Sequence, residues 1–418
     1  MPMIRTFLLL CAWSLSMISQ AQITLESCQQ QARENYPLVR QYELLQLAEK
    51  YTLSNVAKGN LPQISLSGKI SYQSEATTFP FEIPGLGIKG LPKDQYQALV
   101  EIKQNVWDGG KIRHQKAQVK AVTEENARQL DTSMYALEER VNQVFFGILL
   151  LDEQRTQNKL LEEELVRNLK TVEAYRMNGT ANDADVDAVQ VEILQTKQQR
   201  IQLENNRTAY LRMLSLLTGK EFPAQAQLIR PEPVATTSSG FNRPELRWYE
   251  AQEQTVAIQR KGLQSGYLPS FSLFAQGAYG NPGLDILKDK FRAYYLVGAR
   301  FTWNFGSLYT LKNDRKKLDN QLQKIQNERD LFLFHTQLQV AEEDGTIQSL
   351  RQQMKKDEEI IRLRENIRRS AQAKVANGTL SVSDMLKEIT AENLARQAKA
   401  VHEVQLLMHL HQRKHLTN

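Results

Sequence analysis

After Pro62 the chain alternates. Ile64, Leu66, Ile70 and Tyr72 are apolar, whereas Ser65, Ser67, Lys69, Ser71 and Gln73 are polar. A period of two makes a strand with one greasy and one wet face. The pattern predicts a strand over 64–73 and another over 95–107, where Tyr96, Ala98, Val100 and Ile102 oppose Gln97, Glu101 and Lys103. It returns over 270–279 (Phe271, Leu273, Ala275, Gly277, Tyr279) and over 293–305 (Tyr295, Val297, Ala299, Phe301, Trp303, Phe305). After Gly109-Gly110 the period changes. Leu130, Met134, Leu137, Val141, Val144, Ile148 and Leu151 succeed one another at spacings of 4 and 3, a heptad seam that requires a neighbouring helix. Lys111 to about Met177 contains no Pro, and an unbroken helix there would reach on the order of 100 Å. A second seam starts at Leu318, Leu322 and Ile325 and runs less regularly through Ile347, Leu350, Met354 and Ile361. Each run breaks at Asn-Gly-Thr (Asn178-Gly179-Thr180 and Asn377-Gly378-Thr379), where Gly suits a C-cap. Returning helices are expected over 183–217 and 383–416, with N-caps around Asn182 or Asp183 and Ser381 or Ser383.

The pattern occurs twice. Tyr36-Pro37-Leu38 and Asn60-Leu61-Pro62 resemble Arg243-Pro244-Glu245 and Tyr267-Leu268-Pro269 at one offset of 207. The two Asn-Gly-Thr turns, and Asp185 with Asp384, share an offset of 199. Two constant offsets mean a tandem duplication, with one longer loop between Tyr72 and Asn105 in the first copy. The predicted organisation is a first repeat over 22–221, a Pro- and Ser-containing linker over 222–240, and a second repeat over 241–418. Residues 1–21 read as a secretory signal peptide: Arg5, an apolar stretch from Phe7 to Trp13, and small residues ending at Ala21. Leu8-Leu9-Leu10 before Cys11 argues against acylation there, and cleavage at Ala21 leaves Cys28 as the single thiol.

Composition removes several classes. The 418 residues carry 53 Lys+Arg against 47 Asp+Glu. The longest apolar runs fall far short of the roughly 18 residues a spanning helix needs. Two Cys cannot staple a chain of this length. The net charge of +6 is dispersed, with no tight basic cluster interleaved with aromatics, so nucleic acid is not an expected partner. No P-loop, dinucleotide glycine pattern, Gly-x-Ser-x-Gly or His-Glu-x-x-His occurs, and neither an enzyme nor a cofactor is expected. His411 and His415, at i and i+4, have a chelating spacing but no acid or Cys beside them in sequence.

Four strands cannot close a barrel, and in lipid an open sheet leaves backbone groups unbonded. Pooling strands between copies solves this: two chains give eight strands and three give twelve. The aromatics near strand ends, among them Tyr72, Trp107, Tyr294 and Trp303, would then form membrane-interface girdles; in a soluble sheet they would be core or cross-strand pairs.

The chain resembles the TolC-like outer-membrane efflux protein family. The resemblance rests on Ile23-Thr24-Leu25-Glu26-Ser27-Cys28, Asn35-Tyr36-Pro37, the Leu-Pro strand entries, Val106-Trp107-Asp108-Gly109-Gly110 and the two Asn-Gly hairpins, in order along nearly the whole mature chain. It implies a mainly α fold with a small β part: long antiparallel coiled-coil helices forming an α-barrel, plus four strands per chain in a shared 12-stranded transmembrane β-barrel of a homotrimer. It further implies a passive exit duct in the outer membrane of a Gram-negative bacterium, in contact with outer-membrane lipid and extending into the periplasm. Such a duct serves tripartite efflux or type I secretion, with a periplasmic adaptor and an inner-membrane transporter as partners. Asn178, Gly179, Thr180, Asn377, Gly378 and Thr379 would be tunnel-tip turns that meet the adaptor. Asp185, Asp384 and Lys387 would lie at a pore constriction, although Lys387 stands where the family often has a second acid and Leu380 where it often has a base. Asp384 is expected either to face the pore, as three like charges in a trimer, or to cap the restarting helix. The alternative reading of the whole chain is a periplasmic coiled-coil scaffold or adaptor without a pore, which would not need the alternating strands.

Overall fold

The computed structural model describes residues 23–75, 92–235, 240–286 and 288–418. The expected signal peptide, most of the loop between the first two strands, and linker residues 236–239 lie outside the described residues. Eleven main elements run in chain order: α1 (Leu25–Asn35), α2 (Val39–Ala57), β1 (Gln63–Tyr72), β2 (Asp94–Trp107), α3 (Lys111–Met177), α4 (Asp183–Thr218), α5 (Pro244–Gly262), β3 (Ser270–Asn281), β4 (Arg292–Thr302), α6 (Ser307–Ala376) and α7 (Val382–Thr417). Among the described residues no helix is long and apolar enough to cross a membrane. The described residues form two compact units, one drawn from 23–40, 130–235, 240–244 and 331–418, the other from 41–75, 92–129, 245–286 and 288–330.

In the first unit the helices pack along the predicted seam. Leu137, Val141, Val144 and Ile148 of α3 are buried with Leu25 and Cys28 of α1, Leu211 and Leu214 of α4, and Val404 and Leu407 of α7. Phe145 and Phe146, which flank the seam, are also fully buried, so this stretch of α3 is covered on more than one side. A second apolar cluster lies near the helix turns. It joins Leu165 and Val172 of α3, Val189 and Ile193 of α4, Val375 of α6, and Met385 and Ile389 of α7. Burying such side chains stabilises each by roughly 1.5–3 kcal/mol.

The start of the 222–240 linker has a fixed path. The buried Arg207 pairs with Asp152 at 2.5 Å and donates to the carbonyls of Ala224 and Ala226, both at 2.5 Å. Just beyond, Ile229 donates its backbone N–H to Ile23 at 2.9 Å. Pro and Ser composition alone read this segment only as a loop, because the guanidinium that holds it comes from α4.

The second unit holds one antiparallel sheet in the order β1-β2-β3-β4. The two predicted hairpins are thus joined through β2 and β3, and β1 and β4 each have a single neighbour. The expected fourth strand over 293–305 is corrected to end at Thr302. Thr302 pairs with Ser270, the first residue of β3, so Trp303 and Phe305 have no opposing strand. The Trp303 indole instead donates to the Tyr267 carbonyl at 3.0 Å.

Candidate functional site

The sheet separates its side chains into two unlike faces. On one, Ile64, Ile102, Ala275 and Val297 form a continuous row, as do Leu66, Val100, Gly277 and Tyr295. On the other, Ser65, Glu101, Gln276 and Leu296 are aligned, and Lys69, Gln97, Gly280 and Arg292 lie two rows away. On the central strands β2 and β3 accessibility alternates with the same period. On β3, Ser272 and Ala278 are each 7% exposed, whereas Leu273 and Tyr279 on the apolar face are 52% and 56% exposed. The polar side chains crowd together while the apolar ones spread into open space, as on the inner and outer surfaces of a curved sheet. On the crowded face Gln276 donates to Glu101 at 3.1 Å, Arg300 lies 3.8 Å from the same carboxylate and over the Phe274 ring, and Gln97 donates to the Tyr294 hydroxyl at 2.5 Å.

The aromatics gather at two levels of the apolar face. Phe291 approaches Tyr96 and Tyr279 at 6.0 and 5.7 Å. Eight residues back along β3, roughly 27 Å of strand, Phe271 meets Phe301 at 5.0 Å, and Trp303 lies between Phe301 and Phe305. Of the four predicted interface aromatics, Tyr72 and Trp303 keep the apolar parity. Trp107 joins them for a reason that strict alternation conceals. The register shifts between Asn105 and Trp107, so an odd-numbered residue arrives opposite Phe271 instead of on the polar face. A bulge inserts one residue and reverses the facing of every side chain beyond it. Tyr294 is corrected: it lies on the polar face opposite Ala278, and its neighbour Tyr295, on the apolar side, is 79% exposed. The alternation of Tyr295 with Val297 and Phe301 already contained that distinction.

The two Asn-Gly-Thr turns repeat one hydrogen-bond pattern. Gly179 donates to Arg176 at 3.0 Å and Thr180 to Tyr175 at 2.9 Å; Gly378 donates to Val375 and Thr379 to Lys374, both at 2.9 Å. Gly179 and Gly378 have φ of +76° and +68°, the left-handed conformation in which a Schellman turn places glycine. Each Thr hydroxyl donates to the carbonyl its own N–H already uses, at 3.1 and 3.0 Å. The next helix restarts at once. Asn182 and Asp185 form a reciprocal capping box, and Ser381 caps α7 by accepting from the Asp384 N–H at 3.1 Å. Nothing lies within 4 Å of where a side chain on either glycine would begin, so both turns present open surface.

Residues 28–220, almost all of the first repeat, match the model of a family described as outer membrane efflux protein. Over that stretch, a little under half of its length, the chain is similar to the outer membrane efflux protein family. No curated protein matches it significantly by sequence. Solved structures carry the fold across both repeats. The outer membrane protein VceC of Vibrio cholerae is 12% identical with a TM-score of 0.68, over 94% of this chain and 96% of that one. The outer-membrane channel OprN is 14% identical at 0.70, over 94% and 90%. The MtrE outer membrane channel of Neisseria gonorrhoeae, in its open state, is 14% identical at 0.65, over 94% and 89%. The fold is therefore that of the TolC-like channels.

The candidate constriction residues sit within the restarting helices. The Asp384 carboxylate accepts from Lys387 at 2.9 Å and from the Ser381 hydroxyl at 2.7 Å. Those bonds hold its carboxyl below the ordinary aspartate range. The bonds to this carboxylate are therefore at full strength above that range and weaken as pH falls through the lowered value. Asp185 is engaged by the Asn182 N–H at 3.0 Å. The two spaced histidines have separate duties. His411 faces the Glu232 carbonyl at 3.2 Å, with burial pushing its imidazole pKa down, and His415 stacks on Tyr135 at 3.9 Å. No cluster of three or more metal-ligating side chains occurs among the described residues. Cys28 is fully buried, and burial raises its thiol to about 11, so it is a core side chain, not a nucleophile.

Proposed function

We propose that three copies of the chain pool their sheets into a twelve-stranded barrel that serves as a passive exit duct for efflux or secretion. One observation carries the reading: a four-stranded sheet, apolar on its open face, whose outer strands each have only one neighbour. In hydrocarbon every backbone N–H and C=O must be bonded, so β1 of one copy has to pair with β4 of the next. The apolar rows then face lipid, the crowded polar face lines the passage, and the two aromatic levels lie at the membrane interfaces. Tyr72, Trp107 and Trp303 belong to those levels, and Tyr294 to the lumen. The helices support the same assembly. Val191, Leu194 and Ile201 of α4 and Leu331, Phe334 and Leu338 of α6 are exposed at helical spacing, a pattern that further copies of the chain would cover.

The exposed turns at Asn178, Gly179, Thr180, Asn377, Gly378 and Thr379 are the proposed docking surface for a periplasmic adaptor, which would link the duct to an inner-membrane transporter. Nothing in the chain binds a nucleotide by any recognised motif, so energy is assigned to that transporter. Recovery of the protein from outer membranes as a heat-modifiable oligomer that conducts ions in planar bilayers is expected. A soluble periplasmic monomer without current would instead establish the scaffold reading.

At the turns, Asp384 acts with Lys387 as a neutral pair beside the Ser381 cap of α7, not as an acidic ring. Asp384→Asn is accordingly expected to leave block of the current by divalent cations unchanged, while lowering the thermal midpoint of the helices slightly. Loss of the block in single-channel recordings would restore the ring.

A further inference from the structure

The crowded face of the sheet is strongly unbalanced in charge. Register places Lys69, Lys103, Arg292 and Arg300 on it, with Glu101 as its one carboxylate among the described strand residues. Glu101 is already engaged by Arg300 and Gln276. Among the described residues, Lys69, Lys103 and Arg292 have no ion-pair partner. The imbalance is specific to this face, since the apolar rows of the four strands contain no Lys or Arg. It also exceeds what the whole chain would give, because 53 cations against 47 acids is nearly even.

We infer that the strand-lined passage favours anions, so that the solutes it passes best carry net negative charge. The inference rests on the reading of the crowded face as the lumen of a barrel. Lys69 and Arg292 share one row at the two outer edges of the sheet. Closure requires a staggered register, so three copies would set these edge cations around the wall at successive heights. Rings of charged side chains are how wide pores discriminate by sign, and low-dielectric walls concentrate the counter-ion between them. A wide lumen screens efficiently, so the preference must weaken with salt: the Debye length falls from about 10 Å at 0.1 M to about 3 Å at 1 M.

The test is the reversal potential of the full-length protein in planar bilayers under a potassium chloride gradient. The expected result at low salt is a chloride-over-potassium permeability ratio above one, falling by about twofold or more when Lys69, Lys103 and Arg292 are changed together to Gln. It should also decline toward one as the mean salt concentration rises. Glu101→Gln is expected to move the ratio the opposite way, and this single change keeps the inference testable should the triple variant not assemble. A conducting wild type that prefers potassium, or a ratio that none of these changes moves, overturns the inference while leaving the duct intact. A wild type that carries no current overturns the duct reading and this inference with it.

Discussion

Val297→Arg is expected to remove the protein from the outer membrane, while Leu296→Arg, one residue away, leaves assembly intact. Val297 is 66% exposed in the middle of the five apolar rows of β3 and β4, between the aromatic levels. A lipid-facing Arg near the bilayer midplane costs about 2–4 kcal/mol. Three symmetric copies raise that to on the order of 10 kcal/mol, comparable to the whole stability of a typical domain. Leu296 belongs to the row of Gln276 and Glu101, where a new cation meets water and a carboxylate. The measurement is the amount of heat-modifiable oligomer in outer-membrane fractions. Equal loss in both variants would mean that the faces have been assigned without physical basis, and equal recovery would mean that neither meets lipid.

Arg368→Ala is expected to loosen the helices beside the turns. The side chain projects from α6 to Glu164 of α3 at 3.1 Å and to the buried Glu392 of α7 at 2.5 Å, so one guanidinium ties the first repeat to the second. Burial, the largest single influence on Glu392, pushes its carboxyl up. The hydrogen bonds from Arg368 and Arg396 outweigh it and hold the group below the ordinary glutamate value. Removing one partner of a buried pair costs about 3–5 kcal/mol. Because Arg396 remains at 2.8 Å from Glu392, the lower end applies. That corresponds to on the order of 6–10 °C in the thermal midpoint monitored by helix ellipticity. The pH dependence has a definite sign. A carboxylate with a depressed folded pKa contributes fully above its unfolded value and loses that contribution as pH falls through the folded value. Without Arg368 the folded value rises, so acid unfolding should begin at higher pH. The double change Arg368→Met with Glu392→Gln, which leaves no buried charge at this pair, should recover most of the loss. If Arg368→Ala melts and titrates like the parent, the pair is ornamental.

Much of the fold was legible because its elements are long and regular. The strands carry a period of two over ten or more residues, and α3 carries a seam whose buried members Leu137, Val141, Val144 and Ile148 are the ones its spacing selects. The turns were legible because a left-handed position admits glycine far more readily than any other residue, and the sequence repeats Asn-Gly-Thr at both. The functional surface was less so. Tyr294 and Tyr295 are the same residue type side by side, so aromatic identity alone does not separate them; the alternation with Val297 does, and pairing with Gly277 puts Tyr295 on the apolar rows.

The sequence by itself determined the duplication, the amphipathic strands, the heptad helices and the glycine turns, because each is a local periodicity written in consecutive side chains. Tertiary structure decided which way Trp107 faces, where the fourth strand stops, and what holds the linker. It also gathered Lys69, Lys103 and Arg292 onto one surface. Those outcomes depend on register and on groups distant in the chain: a bulge opposite Phe271, the start of β3 at Ser270, and a guanidinium from α4. Periodicity fixes what an element buries, but only the neighbour it pairs with fixes where each side chain meets its partner.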